Sequence, residues 1–261
     1  MQNWLQILFV VLLTLSLVKS ADCEVAVVTS YFGEVTIIER GESSSLDLSS
    51  RPVFEPSGIT FKTGSAGNLF LVFENRVALA LGPDTELAIE SFSAESDMEV
   101  IGPSADERGQ SNLQMVLERG DLAISANRLS PLSKVVVQTE LGAVNFSRKG
   151  MAIRLRPEDD GLTFATESGN ITVTTQLAEE KLFVGNQQWL QLLPDGTVKR
   201  RAIDLEKDNG LLELTRAANR ANARVAFRLA AEDPQAGFDA LILSQPIVER
   251  VALKSSVVDE L

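Results

Sequence analysis

Apolar and polar positions alternate through most of the chain as far as Val198, most densely in Gly58–Phe92. Three strand-like runs lie inside that stretch, Leu69–Glu74, Val77–Leu81 and Glu86–Phe92. Small turn groups separate them: Gly64-Ser65-Ala66-Gly67, Asn75-Arg76 and Gly82-Pro83-Asp84. In the first run Leu69, Leu71 and Phe73 share one face, and Phe70, Val72 and Glu74 share the other. Both faces are mostly apolar, so this strand is expected between two layers rather than at a wet surface.

The pattern goes on as further runs at Val135–Thr139, Met151–Arg156, Leu162–Thr166, Asn170–Thr175, Leu182–Gly185 and Trp189–Leu193. Glycine, any residue, apolar, any residue, apolar recurs at Gly33-Val35-Ile37, Gly67-Leu69-Leu71, Gly120-Leu122-Ile124, Gly142-Val144-Phe146 and Gly169-Ile171-Val173. The intervals are uneven, which argues against a strict solenoid array. Ser93–Asn112 is acidic and polar and reads as an exposed insertion, and Leu129–Ser133 as a shorter connection. Beyond Val198 the period changes. Leu211, Leu214, Ala218, Ala221, Val225 and Leu229 recur at steps of three and four, which predicts an amphipathic helix from Asp208 to Glu232, about 37 Å long. Asp208 or Asn209 would cap its start and Asp233-Pro234 would stop it. The tail, Ala240–Leu243 and Ile247–Leu253, suits a strand or a short helix equally.

Several of these phrases together resemble a known family. Gly33-Glu34-Val35-Thr36-Ile37, then Phe61-Lys62-Thr63-Gly64, then Leu81-Gly82-Pro83-Asp84-Thr85-Glu86-Leu87 resemble the successive motifs of a FecR-type domain, with Thr85 where that family usually has Ser. Leu117–Ile124 and Val135–Phe146 resemble its later strands, so the likeness covers roughly Ser30 to Leu155. It implies a mainly β fold, a FecR-like β-sandwich or a short irregular β-solenoid, here followed by a C-terminal amphipathic α-helix. It also implies a bacterial source. Regulators of that family carry a cytoplasmic segment, a membrane span and then this domain, and signal to an extracytoplasmic-function sigma factor. This sequence departs from that plan, since it begins with its hydrophobic segment.

That opening segment changes the domain division. Leu5–Val18 is apolar but shorter than the ~20 residues a spanning helix needs. Val18-Lys19-Ser20 before Ala21 suits signal-peptidase cleavage. The expected division is a signal peptide at 1–20, a FecR-like β domain at 21–198 and a helical C-terminal appendage at 199–261. Retention of the segment as an N-terminal inner-membrane anchor is the alternative, because Met1–Trp4 carries no Lys or Arg. Export places the chain in the periplasm or at the cell surface. The sole cysteine, Cys23, excludes an intrachain disulfide, and Asp22 before it disfavours a lipid anchor.

Charge and residue usage narrow the function classes. The chain carries a formal net charge of −12, which disfavours nucleic acid or an anionic membrane as a partner of the whole surface. Contact with a membrane would come only through an uncleaved N-terminal segment. There is no histidine, which removes histidine acid–base chemistry, Ser-His-Asp triads and ordinary zinc sites. No P-loop or dinucleotide fingerprint occurs, and no cofactor is expected. Glu158-Asp159-Asp160 and Glu179-Glu180 read as surface acids, and Arg119-Gly120-Asp121 as a strand start.

One feature stands out against the acidic background. Arg216, Arg220, Arg224 and Arg228 fall at steps of four on the expected helix. From Lys199 to Arg228 there are eight basic and four acidic residues, a local net of +4. The stripe fits either a solvated helix face answering the acidic β domain or a docking surface for an acidic partner. The resulting expectation is a non-catalytic, exported binding or scaffold module, not an enzyme, whose partner is an envelope protein or glycan. Signalling through a membrane partner to a sigma factor is the alternative. The junction at Ser20 gives a direct test. Exported protein should have the intact mass of a chain starting at Ala21, and a mass that includes Met1–Ser20, or acyl mass on Cys23, would contradict this.

Overall fold

A computed structural model describes residues 24–47, 53–95, 100–101, 106–107, 109–126, 129–146, 151–156, 161–166, 171–175, 181–229 and 238–242. Met1–Ser20, Cys23, the two acidic groups at 158–160 and 179–180, and Ile247–Leu253 lie outside these residues. The fold is mainly β, with a helix near its C-terminal end, as the alternation and the change of period imply.

Two sheets face each other across one apolar core. Sheet A runs β4 (Val53–Phe54), β1 (Ala26–Phe32), β6 (Asn68–Phe73), β7 (Ala78–Leu81), the second half of β10 (Ser111–Ser125), β13 (Met151–Arg156), β14 (Gly161–Thr166), β17 (Gln188–Leu192) and β18 (Val198–Ala202). Sheet B runs β3 (Glu42–Ser45), β2 (Val35–Glu39), β5 (Ile59–Thr63), β8 (Glu86–Ala94), the first half of β10, β11 (Lys134–Thr139), β12 (Gly142–Phe146), β15 (Ile171–Thr175) and β16 (Lys181–Val184). After β10 the hairpins alternate between layers: β11–β12 in B, β13–β14 in A, β15–β16 in B, β17–β18 in A. The fold is thus a sandwich in section, with a chain path that winds like an irregular solenoid.

Strand β10 belongs to both sheets, and its sequence shows how. Leu113, Met115 and Leu117 point into the core at odd positions, and Leu122 and Ile124 at even ones. The phase flips at Glu118-Arg119-Gly120, where the register with β8 shifts between Leu117 and Arg119. Gly120 has φ +99, and a Cβ there would lie 2.4 Å from the Thr85 Cα, so glycine is required twice over. The resemblance implies a strand only over Leu117–Ile124, whereas β10 runs from Ser111 to Ser125. The exposed insertion expected at Ser93–Asn112 is also shorter than its span, because β8 and β10 occupy its two ends and β9 (Val100–Ile101) lies within it.

The centre of sheet A, at β6, β7, the second half of β10 and β14, is covered on both faces, as the two-sided apolar pattern of β6 predicts. Leu69, Leu71 and Phe73 enter the sandwich core, and Val72 packs outward. A third layer lies on that outer face. It consists of α1 (Asn209–Asn222) and a small sheet of β9, β19 (Val225–Leu229) and β20 (Phe238–Ile242). Ala80, Ala123 and Ala165 form a floor of small side chains under Leu211 and Ala218 of α1. Beside it, Ala78, Val72 and Val27 meet Ala221, Val225 and Phe227. Strand β18 starts at the boundary expected at Val198 and runs past it to Ala202, and α1 and β19 pack on sheet A.

The helix is shorter than its expected span of Asp208–Glu232. Val225 and Leu229 satisfy a helical step of four and equally a strand step of two. Phe227, midway between them, is fully buried, and this segment pairs as a strand with β20 and β9. Asp208 sits at the N-cap position but makes no capping bond with its side chain. Its carboxylate instead takes both arms of Arg201, at 2.6 and 2.7 Å, and accepts from the Asp204 N–H. Arg201 stacks on Trp189 at 4.2 Å, tying β17 and β18 to the start of α1. Burial pushes the Asp208 carboxyl up, but Arg201 and the Asp204 N–H outweigh it and hold the group below its ordinary value.

Two buried side chains give tests. Phe73 is fully buried and meets Phe92 edge-on at 5.1 Å between centroids. Phe73→Ala should cost about 3–5 kcal/mol by chemical denaturation, and a loss below about 1 kcal/mol would contradict its place in the core. Glu74 is only 2% exposed, and its carboxyl oxygens make no well-formed hydrogen bond. Burial pushes its pKa up to about 8; the nearby Val25 N–H lowers it and Glu24 raises it. Between the ordinary value of 4.5 and about 8 the folded chain holds a proton that the unfolded chain releases. Stability from this site is therefore complete below pH 4.5 and declines as pH rises to about 8, by up to about 1.4 kcal/mol per pH unit. Glu74→Gln should flatten that decline in denaturant midpoints measured at pH 5, 7 and 9, and parallel curves for both proteins would refute the burial argument.

Candidate functional site

The motif residues of the sequence converge on a structural knot rather than on reactive chemistry. Thr63 Oγ1 donates to Gly82 O at 2.6 Å and accepts from the Thr85 N–H at 2.9 Å. Thr85 Oγ1 accepts from the Asp121 N–H at 3.0 Å, and the Gly82 N–H donates to Asp121 O at 2.8 Å. A hydroxyl that both donates and accepts suits position 85, and serine would serve there equally. The knot pins the point where β10 changes sheets. It also disposes of Arg119-Gly120-Asp121 as a recognition loop, since Asp121 is buried and Gly120 packs on Thr85.

The four arginines of the sequence do not form one helical stripe. Arg216 and Arg220 stand on α1, Arg224 lies in the turn after it, and Arg228 is in β19 opposite Asp239 of β20. The reason is the early end of the helix at Asn222. Arg216 is already engaged by Glu213 one turn back, at 2.7 Å. Arg220 and Arg224 differ from it, because neither meets a carboxylate among the described residues. The Nε of Arg224 is buried and donates no hydrogen bond.

Those two arginines share a groove. Its floor is the outer face of β1 and β6, and its wall is the last turn of α1. Thr29, Ser30, Phe32, Phe70, Arg220 and Arg224 line it, with Ala217 and Ala221 behind. Phe32 is 62% exposed and meets Phe70 edge-on at 6.3 Å. A β-bulge between Val28 and Ser30 shifts the register of β1 against β6 here, and Thr29 Oγ1 donates to Phe70 O. The groove holds about 190 Å³, less than the roughly 300 Å³ at which pockets begin to enclose drug-sized molecules. It suits side chains presented by a partner: two aromatic rings for apolar parts, two guanidinium groups for carboxylates, and two hydroxyls between them.

A buried arginine holds the groove in shape. Arg76, in the β6–β7 turn, is fully buried and has the left-handed φ of +67, which a non-glycine residue seldom adopts. Its Nη2 donates to Asn222 O at 2.7 Å and its Nη1 to Val225 O at 2.8 Å. Asn222 Nδ2 returns a bond to Arg76 O at 2.7 Å. The cation thus meets the carbonyl end of α1, where the helix dipole is negative, and fixes the turn that carries Arg224. In the sequence Arg76 reads only as a turn residue. Nothing in the pattern sets it apart, since its neighbours Glu74 and Asn75 are polar as well and are also buried.

Among the described residues no group of three His, Cys, Asp or Glu side chains could hold a metal ion, and no helix is long and apolar enough to cross a membrane. No family model matches the chain, and no curated protein matches it. Two crystal structures of a "putative anti-sigma factor" from Parabacteroides distasonis ATCC 8503, at 1.65 and 2.50 Å resolution, are similar in structure. Each is 11% identical and covers 59% of this chain, with TM-scores of 0.45 and 0.44. The chain spans 64% and 63% of the lengths of those two neighbours.

Proposed function

We propose that this protein is a non-catalytic, exported docking module of the bacterial cell envelope, and that it binds an acidic segment of a partner protein in the groove between α1 and the β1–β6 face. The observation that carries the reading is the pair of guanidinium groups of Arg220 and Arg224, which meet no carboxylate among the described residues, beside Phe32 and Phe70 in a chain of net charge −12. An unpaired arginine beside an apolar wall is a favourable anchor at protein interfaces. The arginines also favour a carboxylate-bearing segment over a neutral glycan. The FecR-type character rests on the motifs around Thr63, Thr85 and Gly120, and the export on Leu5–Ala21. In this reading Arg216 serves as a helix-surface ion pair, and Arg228 belongs to the small sheet.

The test replaces Arg220 and Arg224 together by Gln in the full chain. Arg220 is exposed and Arg224 half-buried, so unfolding should shift by no more than about 0.5 kcal/mol for the first and about 1.5 kcal/mol for the second. Captured from envelope extracts, at least one acidic partner should be retained by the wild type and fall about tenfold or more with the variant. Retention by the wild type should also weaken when salt is raised from 0.05 M to 0.5 M. Identical partner sets for the two proteins at both salt concentrations would exclude the groove as the docking site.

A further inference from the structure

The groove stands next to the point where the chain leaves β20. That strand runs antiparallel to β19 with Ile242 opposite Val225, the residue after Arg224. The chain beyond Ile242 therefore sets out toward Arg224 and the end of α1. Asp259 and Glu260 follow seventeen and eighteen positions after Ile242, flanked by Val257, Val258 and Leu261. Two adjacent acids among apolar side chains answer what the groove offers, Arg220 and Arg224 beside Phe32 and Phe70. Other acids are kept from the groove by the path of the chain. Glu232-Asp233 belong to the connection that starts at Leu229, roughly 16 Å of strand beyond Arg224. Glu158-Asp159-Asp160 belong to the short link between Arg156 and Gly161, which are paired with each other, and β7 and β10 separate β13 from β6. Residues 48–52, which lead into β4, contain no carboxylate.

We propose that Val257–Leu261 occupies this groove within its own chain, with Asp259 and Glu260 against Arg220 and Arg224 and the apolar neighbours over Phe32 and Phe70, so that an acidic partner binds by displacing it. The reach is sufficient. A linker of seventeen residues has a root-mean-square span of about 23 Å, and Arg224 is the neighbour of the residue that Ile242 pairs with. Such a tether presents its end to a nearby site at an effective concentration on the order of 1 mM. An intrinsic dissociation constant of about 0.1 mM then fills the groove about nine-tenths of the time and raises the partner concentration needed by about tenfold. Weak pairing is enough, because the covalent link has already removed most of the freedom that association costs. The resident segment also sets a threshold. A competitor with two acids and nothing more is held back, whereas one that makes further contacts around Phe32 displaces it. This inference rests on the docking reading above and adds what a partner must compete with.

The probe is a fluorescent, C-terminally amidated peptide with the sequence of Ser255–Leu261, titrated by anisotropy into the full chain. The full chain carrying Asp259→Asn with Glu260→Gln should bind it about tenfold more tightly than the wild type, since the competing segment has lost its carboxylates. Glu232→Gln with Asp233→Asn removes the same charge elsewhere and should stay within about twofold of the wild type. Adding Arg220→Gln and Arg224→Gln to the first variant should weaken binding about tenfold or more. Equal affinity for the wild type and the Asp259/Glu260 variant, or an equal gain in the Glu232/Asp233 variant, overturns occupancy by the chain's own segment. The docking reading survives either result provided that binding still falls with the two arginines. Binding that ignores the arginines overturns both. No detectable binding to the Asp259/Glu260 variant overturns the inference alone, and the docking reading then stands or falls by capture from envelope extracts.

Discussion

The grip of Arg76 on the end of α1 is the contact on which the functional geometry depends. A fully desolvated guanidinium is costly unless its donors are used, and here two of them meet carbonyls that would otherwise be stranded at the helix terminus and the start of β19. Each group answers a cost in the other. The result couples residues 146 and 149 positions apart in the chain, joining the β6–β7 turn to the third layer. Without it the last turn of α1 would fray, and Arg220 and Arg224 would lose their fixed distance from Phe32. The alanine floor under α1 sets how close the helix lies; Arg76 sets where it ends.

Below that layer, the sandwich depends on one strand that serves both sheets. A flat strand cannot leave one sheet for the other without changing which residues face the core. β10 solves this by a single flip of phase at Gly120, held by the Thr63–Thr85–Asp121 bonds. The FecR-like motifs thus have a mechanical reading here. Their glycine and hydroxyl positions are the places where the backbone has least freedom to be anything else.

Much of this architecture is legible in the sequence, because strands with a buried face advertise themselves by period. Met151–Arg156 is met to the residue, and the two-sided apolar run at Leu69–Glu74 announced a strand covered on both faces. The end of the helix was not legible by the same logic. Val225 and Leu229 fit both periods, and only pairing with β9 and β20 decides between them. The arginine stripe failed for that reason, although two of its members do line the groove. That they meet Thr29 and Phe32, nearly two hundred positions earlier in the chain, is a fact of sheet order that no local pattern encodes. Arg76 was hidden likewise, since a charge in a turn ordinarily faces water.

The acidity of the rest of the chain is part of how a small cationic groove can be selective. A positive surface on a neutral or basic protein attracts any polyanion, including nucleic acid and anionic lipid. Here the surrounding negative field repels extended polyanions before they reach Arg220 and Arg224, whereas a short acidic segment would meet both guanidinium groups only at close range. The repulsion weakens every competitor alike, and the attraction is available only at close range. Arginine suits that task better than lysine, because its planar, weakly hydrated fork tolerates the partly buried place of Arg224 and pairs with a carboxylate through two bonds. In the proposed docking reading specificity then follows from a local charge contrast beside the exposed ring of Phe32, two features that are each modest and that meet in one groove.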